Sequence, residues 1–324
     1  MQVPLPGTPQ AYKRDLKAKR RRSPICRNTA CFYRLSTKRY PADKTCAILF
    51  FMERVEEKAY AKLNLTLGVL YKRMDGYHAL DTLMQTVSLF DRVTVAPSKT
   101  VEVHVTGATL PPENTLYRAA MLYQAKSGKG ALITCEKRLP SEAGMGGGSA
   151  DAAAVLRGLQ RLHRMLTDRE IKEIALAVGA DVPFCLQGGL CRCEGVGEIL
   201  TPVVGPPLWF AIVKPPRGVS TKALFQSLSL PRKRVETVRC LAKLGQNDLK
   251  GAAAYMENAL EAPAVALVPE IGEIKAELLA KGALAACMTG SGSAVFGLFE
   301  SDAQAQAAIE GFPDDYYTAT CHSV

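Results

Sequence analysis

The 324-residue chain carries 41 Lys and Arg against 31 Asp and Glu, a formal net charge of +10, with an ordinary apolar share of 48%. A chain of this length exceeds the usual size of one hydrophobic core, so two domains with a cleft between them are expected. Residues 1–51 hold 12 basic and 2 acidic residues and 52–324 hold 29 of each, which argues against a nucleic-acid-binding face on the patterned part and against nucleic acid as a partner.

No apolar run approaches the roughly 20 residues that span a bilayer, so no membrane partner is expected. Ten cysteines are scattered without a Cys-x-x-Cys pair or Cys/His zinc spacing. In apolar settings such as Ala286-Cys287-Met288 they read as small buried hydrophobes of a reduced, cytoplasmic enzyme.

Residues 1–51 lack the apolar core and cleavage site of a secretory signal. The segment around Lys17-Ala18-Lys19-Arg20-Arg21-Arg22 reads as a disordered extension or a start placed too early, ahead of Met52. An organelle transit peptide, with plastid import, and a nucleic-acid-binding arm are the alternatives; serines, only Ser23 and Ser36, are few for the former.

From Lys58 to Val69 the sequence alternates, placing Leu63, Leu65, Leu67 and Val69 on one strand face and Lys62, Asn64 and Thr66 on the other. Asp75-Gly76 marks a turn, and Leu83–Val95 and Val101–Thr106 read as further strands. A helix over Asn114–Lys126 and a strand over Ala131–Lys137 lead into a Gly-rich loop. Beyond it, Ala152, Val155, Leu156, Leu159 and Leu162 predict an amphipathic helix opened by Ser149 and Asp151, followed by a helix over Arg169–Val178. Strands near Gly189–Cys193 and Gly197–Val203 precede Pro206-Pro207, which suggests a change of domain near Pro207. The rest mixes strands at Trp209–Val213, Ala294–Phe299 and Tyr316–His322 with helices at Thr221–Leu228, Val235–Leu244 and Ile271–Ala280.

The loop, Pro140-Ser141-Glu142-Ala143-Gly144-Met145-Gly146-Gly147-Gly148-Ser149, sets four glycines before a helix. Backbone N–H groups and the helix dipole then converge on one point, a cradle for phosphate. It is no Walker A loop, because no Gly-Lys-Ser/Thr follows, and the βαβ setting of a dinucleotide fold is not evident. A flexible surface loop before a capped helix is the plainer alternative.

Here the chain resembles a known family. Pro140-Ser141-Glu142-Ala143-Gly144-Met145-Gly146-Gly147-Gly148-Ser149-Ala150-Asp151 is similar to the second motif of the GHMP kinases, small-molecule kinases of galactose, homoserine, mevalonate and phosphomevalonate. Ala61–Val69 resembles their first motif and Thr289–Phe299 their third, in the same order. The resemblance implies an α+β chain: a ribosomal-S5-domain-2-like ATP-binding domain over 52–207 and a ferredoxin-like C-terminal domain over 208–324. It further implies ATP and Mg²⁺ as cofactors, with Pro140–Ser149 on the nucleotide and Ser149 as the best protein contact for a metal held mainly through phosphate.

Phosphoryl transfer asks chiefly for charge neutralisation and an in-line acceptor oxygen. Gly179-Ala180-Asp181-Val182-Pro183 resembles the segment carrying the family's catalytic aspartate, and Lys62 in Ala61-Lys62-Leu63-Asn64 its partner lysine. Asp181 is expected to orient the acceptor hydroxyl as much as to take its proton. Read without the family, Asp181 is a turn cap and Lys62 a solvent-facing strand residue.

The acceptor is narrowed by Asp75-Gly76-Tyr77-His78, which resembles the branch acting on 4-diphosphocytidyl-2-C-methyl-D-erythritol, as does Glu194-Gly195-Val196-Gly197-Glu198. That likeness places Tyr77, His78 and Phe225 at a cytosine ring, with Thr221 and Asn64 as further substrate contacts. Ala150 replaces a common second serine of the family. Competing readings are a kinase of the same superfamily acting on a polyol, homoserine or phosphomevalonate, and an RNA-binding module using the basic tail.

Overall fold

In the computed structural model the described residues are 54–226, 228 and 235–324; the expectations for residues 1–51 fall outside them. The first two strands form a long antiparallel hairpin, β1 (Val55–Lys72) and β2 (His78–Ser98), closed by the turn at Asp75-Gly76. Asp75 makes that turn by accepting a hydrogen bond from the Tyr77 N–H at 3.1 Å. β3 (Glu102–Thr106), β4 (Gly130–Glu136), β5 (Leu190–Gly195) and β6 (Ile199–Val203) complete a six-stranded sheet in the order β3-β4-β2-β5-β6, with β1 on β2. Only β3 and β4 run parallel.

Four helices belong to this part: α1 (Thr115–Ser127), α2 (Gly147–His163), α3 (Asp168–Val178) and α4 (Val182–Gln187). Asn114 caps α1 by accepting from the Tyr117 N–H, and Thr167 with Glu170 forms a reciprocal capping box on α3. The buried stripe of α2, Ala152, Val155, Leu156 and Leu159, packs with Val93, Val95 and Ile133 of the sheet and with Tyr123 of α1.

A second, four-stranded antiparallel sheet begins at β7 (Trp209–Lys214) and takes β8 (Ala285–Met288), β9 (Val295–Phe299) and β10 (Tyr317–His322) in the order β10-β7-β9-β8. Its helices are α5 (Thr221–Gln226), α6 (Thr237–Gly245), α7 (Leu249–Ala253), α8 (Glu261–Leu267), α9 (Glu270–Ala280) and α10 (Asp302–Ala308). Leu63, Leu65 and Leu83 of the first sheet share one buried cluster with Phe210, Ile212 and Phe296 of the second. Two sheets with helices, joined through that cluster, make the α+β arrangement that the motifs imply.

Candidate active site

The alternation read in β1 is present, but its polar face is not solvated: Lys62 is 3%, Asn64 1% and Thr66 0% exposed. Register shifts between Tyr60 and Lys62 and between Asn64 and Thr66 bracket this stretch, a device that re-aims side chains beside sites. Every polar atom there finds a partner. The Lys62 ammonium donates to Asn64 Oδ1, Asn64 Nδ2 donates to Thr82 Oγ1 at 2.9 Å, and the Asn64 N–H donates to Thr289 Oγ1 at 3.0 Å. Thr66 Oγ1 in turn donates to Thr237 Oγ1 at 3.1 Å.

The Gly-rich loop packs directly on this face. Lys62 N–H donates to Met145 O at 3.0 Å, and Gly146, with φ +70°, leaves no room for a Cβ, which would lie 2.9 Å from Lys62 Cγ. Gly144, also at φ +70°, approaches the third motif so closely that a Cβ would sit 2.0 Å from Thr289 O. Thr289 Oγ1 donates to Gly144 O at 3.3 Å. First, second and third motifs thus meet at one place.

α2 begins at Gly147, with Gly146 at its N-cap and no side chain capping it. This corrects the expectation that Ser149 and Asp151 open the helix. The N–H groups of Gly147, Gly148 and Ser149 have no acceptor within the helix, and all three residues line the cavity. Asp151 is instead buried, with Oδ2 accepting from Lys137 Nζ at 2.7 Å while the same ammonium also meets Asp91. Asp91 additionally accepts from the Leu139 N–H at 2.8 Å. Two carboxylates therefore share one ammonium, and burial, with Asp91 nearby, pushes the Asp151 carboxyl up to about 7 against the pull of Lys137.

Asp181 occupies the N-cap position of α4, yet its side chain makes no cap bond. Its Oδ2 lies 3.4 Å from Lys62 Nζ, with 30% of the side chain exposed to the cavity side. Pro183, near the start of α4, fixes the backbone that follows. The turn between β5 and β6 comes close to the same acid: a Cβ on Gly197 would be 4.0 Å from Asp181 Oδ1. In that turn Glu198 accepts from the Val196 N–H at 2.6 Å.

The His78 ring faces that of Phe225 with centroids 5.1 Å apart and planes 31° apart. Burial, then the neighbouring Lys72 ammonium, push the His78 imidazole below its usual value, so it is neutral at pH 7. Tyr77 is 64% exposed at the hairpin tip. Thr221, at the start of α5, shares a 2.6 Å hydrogen bond with Ser291 of the third motif.

One cavity of about 1360 Å³ is lined by all the residues nominated from the sequence: Lys62, Asn64, Tyr77, His78, Pro140–Ser149, Asp181, Thr221 and Phe225. It is also lined by Asn114, Lys137, Asp151 and Ser291, which the sequence reading passed over. Lys137 had a weak signal, one of two adjacent cations, with Arg138, where the strand enters the loop. Among the described residues no group of three or more His, Cys, Asp or Glu side chains forms a metal site, and no helix is long and apolar enough to cross a membrane. The described cysteines are unpaired; Cys185 is partly buried and the others fully so.

Residues 114–189 match the GHMP kinases N terminal domain and 240–318 the GHMP kinases C terminal domain. A 4-diphosphocytidyl-2-C-methyl-D-erythritol kinase from Carboxydothermus hydrogenoformans is 42% identical over 254 residues, 75% of this chain and 88% of that protein. The kinase of the same name from Cereibacter sphaeroides is 44% identical over 266 residues, 79% of this chain and 93% of its own length. Among solved structures, a 4-(cytidine 5'-diphospho)-2C-methyl-D-erythritol kinase superposes with a TM-score of 0.72 at 37% identity, over 82% of this chain and 99% of that one. A homoserine kinase from Cytophaga hutchinsonii, at 22% identity and a TM-score of 0.67 over 84% of this chain and 94% of that one, shares the fold. Family models that take in the second and third motifs, with likeness over nearly the whole length of such relatives, settle the lineage: the chain belongs to the 4-diphosphocytidyl-2-C-methyl-D-erythritol kinase family of the GHMP kinases.

Proposed function

We propose that the chain transfers the γ-phosphoryl group of ATP to the C2 hydroxyl of 4-diphosphocytidyl-2-C-methyl-D-erythritol, giving ADP and the 2-phosphate, in the cytoplasmic methylerythritol phosphate route to isoprenoid precursors. The observation that carries this reading is the meeting of Lys62 and Asp181, 3.4 Å apart, with the Gly-rich loop in a cavity also lined by the His78 and Phe225 rings. Each part answers one demand of the reaction.

The free N–H groups at the start of α2 receive phosphate oxygens, aided by the helix dipole. Asp181 accepts the hydrogen bond of the acceptor hydroxyl and holds its oxygen in line with the γ-phosphorus. As that oxygen bonds to phosphorus and the bond to the β–γ bridging oxygen breaks, the hydroxyl proton passes to the carboxylate and on to solvent. Lys62, fixed by Asn64, keeps the carboxylate in place and offsets charge developing on the transferred group. The neutral His78 offers one donor and one acceptor to a cytosine edge, with Tyr77 and Phe225 as aromatic faces. Asn64, through the Lys62 it holds, and Thr221 are assigned to the acceptor chain.

Magnesium fits this site as a companion of ATP, with Ser149 as its protein contact. Asp151 is engaged by Lys137, and a hard cation held by phosphate oxygens and water needs no cage of carboxylates. When bound, it neutralises charge between the β- and γ-phosphoryl groups.

The test is ADP release by residues 52–324 and by the full chain with MgATP and four acceptors: the cytidyl substrate, mevalonate, homoserine and galactose. Turnover with the cytidyl substrate alone is expected. Turnover with another acceptor would replace the substrate assignment, and RNA binding that survives loss of Lys62 and Asp181 would favour the module reading.

A further inference from the structure

Four lysines line the cavity, and they differ in their partners. Lys62 is neutralised by Asp181, and Lys137 by Asp91 and Asp151. Lys72 and Lys222 have no ion pair among the described residues, although both line the same cavity. The acid nearest Lys72 along the hairpin, Asp75, is held by Arg73 at 2.8 Å.

Their positions are specific. Lys72 is the cross-strand partner of His78 in the β1–β2 hairpin. Lys222 lies one helical turn before Phe225 on α5, and so on the same helix face. Lys72 and Lys222, both exposed, thus neighbour the two members of the His78–Phe225 ring pair from different elements of the cavity wall. An acceptor of the proposed class carries a diphosphate bridge, with two negative charges, between its nucleoside and its polyol. Two exposed ammonium groups with no ion pair among the described residues give this part of the cavity a positive potential that favours an anionic ligand.

We infer that Lys72 and Lys222 form a two-ammonium clamp for the diphosphate bridge of the cytidyl acceptor, setting the distance between the base end and the reacting hydroxyl. This rests on the acceptor assigned above. The clamp favours an anionic bridge over a neutral polyol, which gains no charge-assisted contact from either lysine.

The test is titration calorimetry at low salt with cytidine, CMP and CDP on the full chain, its Lys72→Gln and Lys222→Gln variants and the double variant. For the wild type, affinity is expected to rise with each added phosphate. Each substitution should weaken CDP binding by about tenfold, as expected for a charge-assisted contact, and leave cytidine binding within twofold. Lys72→Arg and Lys222→Arg should keep most of the CDP increment. CDP affinity in the double variant within twofold of wild type would overturn the clamp, as would a parallel loss of cytidine affinity, which would mean that the lysines act through the base pocket or the fold. Failure of the wild-type chain to bind any of the three would overturn the acceptor assignment itself, and the clamp with it.

Discussion

Gly144→Ala probes the contact that brings the second and third motifs together. The residue has φ +70°, and an added Cβ would lie 2.0 Å from Thr289 O and 2.8 Å from the Gly292 N, both backbone atoms. The left-handed conformation costs about 1–2 kcal/mol for a non-glycine residue. Relieving the overlap by moving backbone costs a further 1–3 kcal/mol or so. The sum, about 2–5 kcal/mol, corresponds to a fall in Tm of roughly 5–15 °C for a domain of this size. Gly128→Ala is the matched control: φ is +71°, but nothing lies within 4 Å of its Cβ position. It isolates the conformational part and should lower Tm by only about 2–6 °C. Differential scanning fluorimetry on the two variants gives the difference directly. A Gly144→Ala loss no larger than that of Gly128→Ala would refute the close approach. Because Thr289 also receives the Asn64 N–H, displacement of the third motif should reach the strand carrying Lys62 and lower kcat.

Asp181→Asn should lower kcat by about 10²-fold or more with the KM for ATP little changed; steady-state ADP release with kcat within threefold of wild type would remove Asp181 from the chemistry. The Asp151 carboxyl, raised to about 7 from an unfolded value of 3.8, holds its proton more tightly when folded. Its contribution to stability is therefore full at pH values below about 4 and is lost as pH rises to 7. The Tm of wild type minus that of Asp151→Asn should decline across that window, and a flat or rising difference would mean that the pull of Lys137 outweighs burial and Asp91. Phe225→Ala should raise the KM for the cytidyl acceptor by about tenfold through loss of ring stacking, while the KM for ATP stays near wild type. Equal rises in both constants would point to a general disturbance of α5.

Periodicity located β1 and α2 because each has a strong local pattern, and the motifs nominated Lys62, Asp181 and the Gly-rich loop, which line one cavity. What alternation does not encode is depth. Lys62, Asn64 and Thr66 read as one polar strand face, with a solvent-facing Lys62 as the plainer alternative, whereas the loop at Gly144–Gly146 and Thr237 of α6 cover that face. Asp151 resembled a helix-opening residue for a related reason. Its partner Lys137 is 14 residues upstream at the end of β4, and such a pair is set by packing of helix on sheet. The short helices α4, α7, α8 and α10, of five to seven residues, carry too few turns to show a period. The strand β8 is four wholly buried residues, which alternation cannot mark.

The cluster that Leu63, Leu65 and Leu83 share with Phe210, Ile212 and Phe296 restricts how this molecule admits its substrates. Swinging the two sheets apart would expose those six side chains to water at about 1.5–3 kcal/mol each. The total, on the order of 10–20 kcal/mol, rivals the stability of an entire domain. Traffic through the cavity is therefore left to elements outside the cluster. The six-residue helix α5 buries only Leu224 completely and is tied across the opening by the Thr221–Ser291 hydrogen bond and the contact of Phe225 with His78. Freeing α5 would expose far less apolar surface than parting the sheets, so the joined sheets are the part of the cavity wall that is hardest to move.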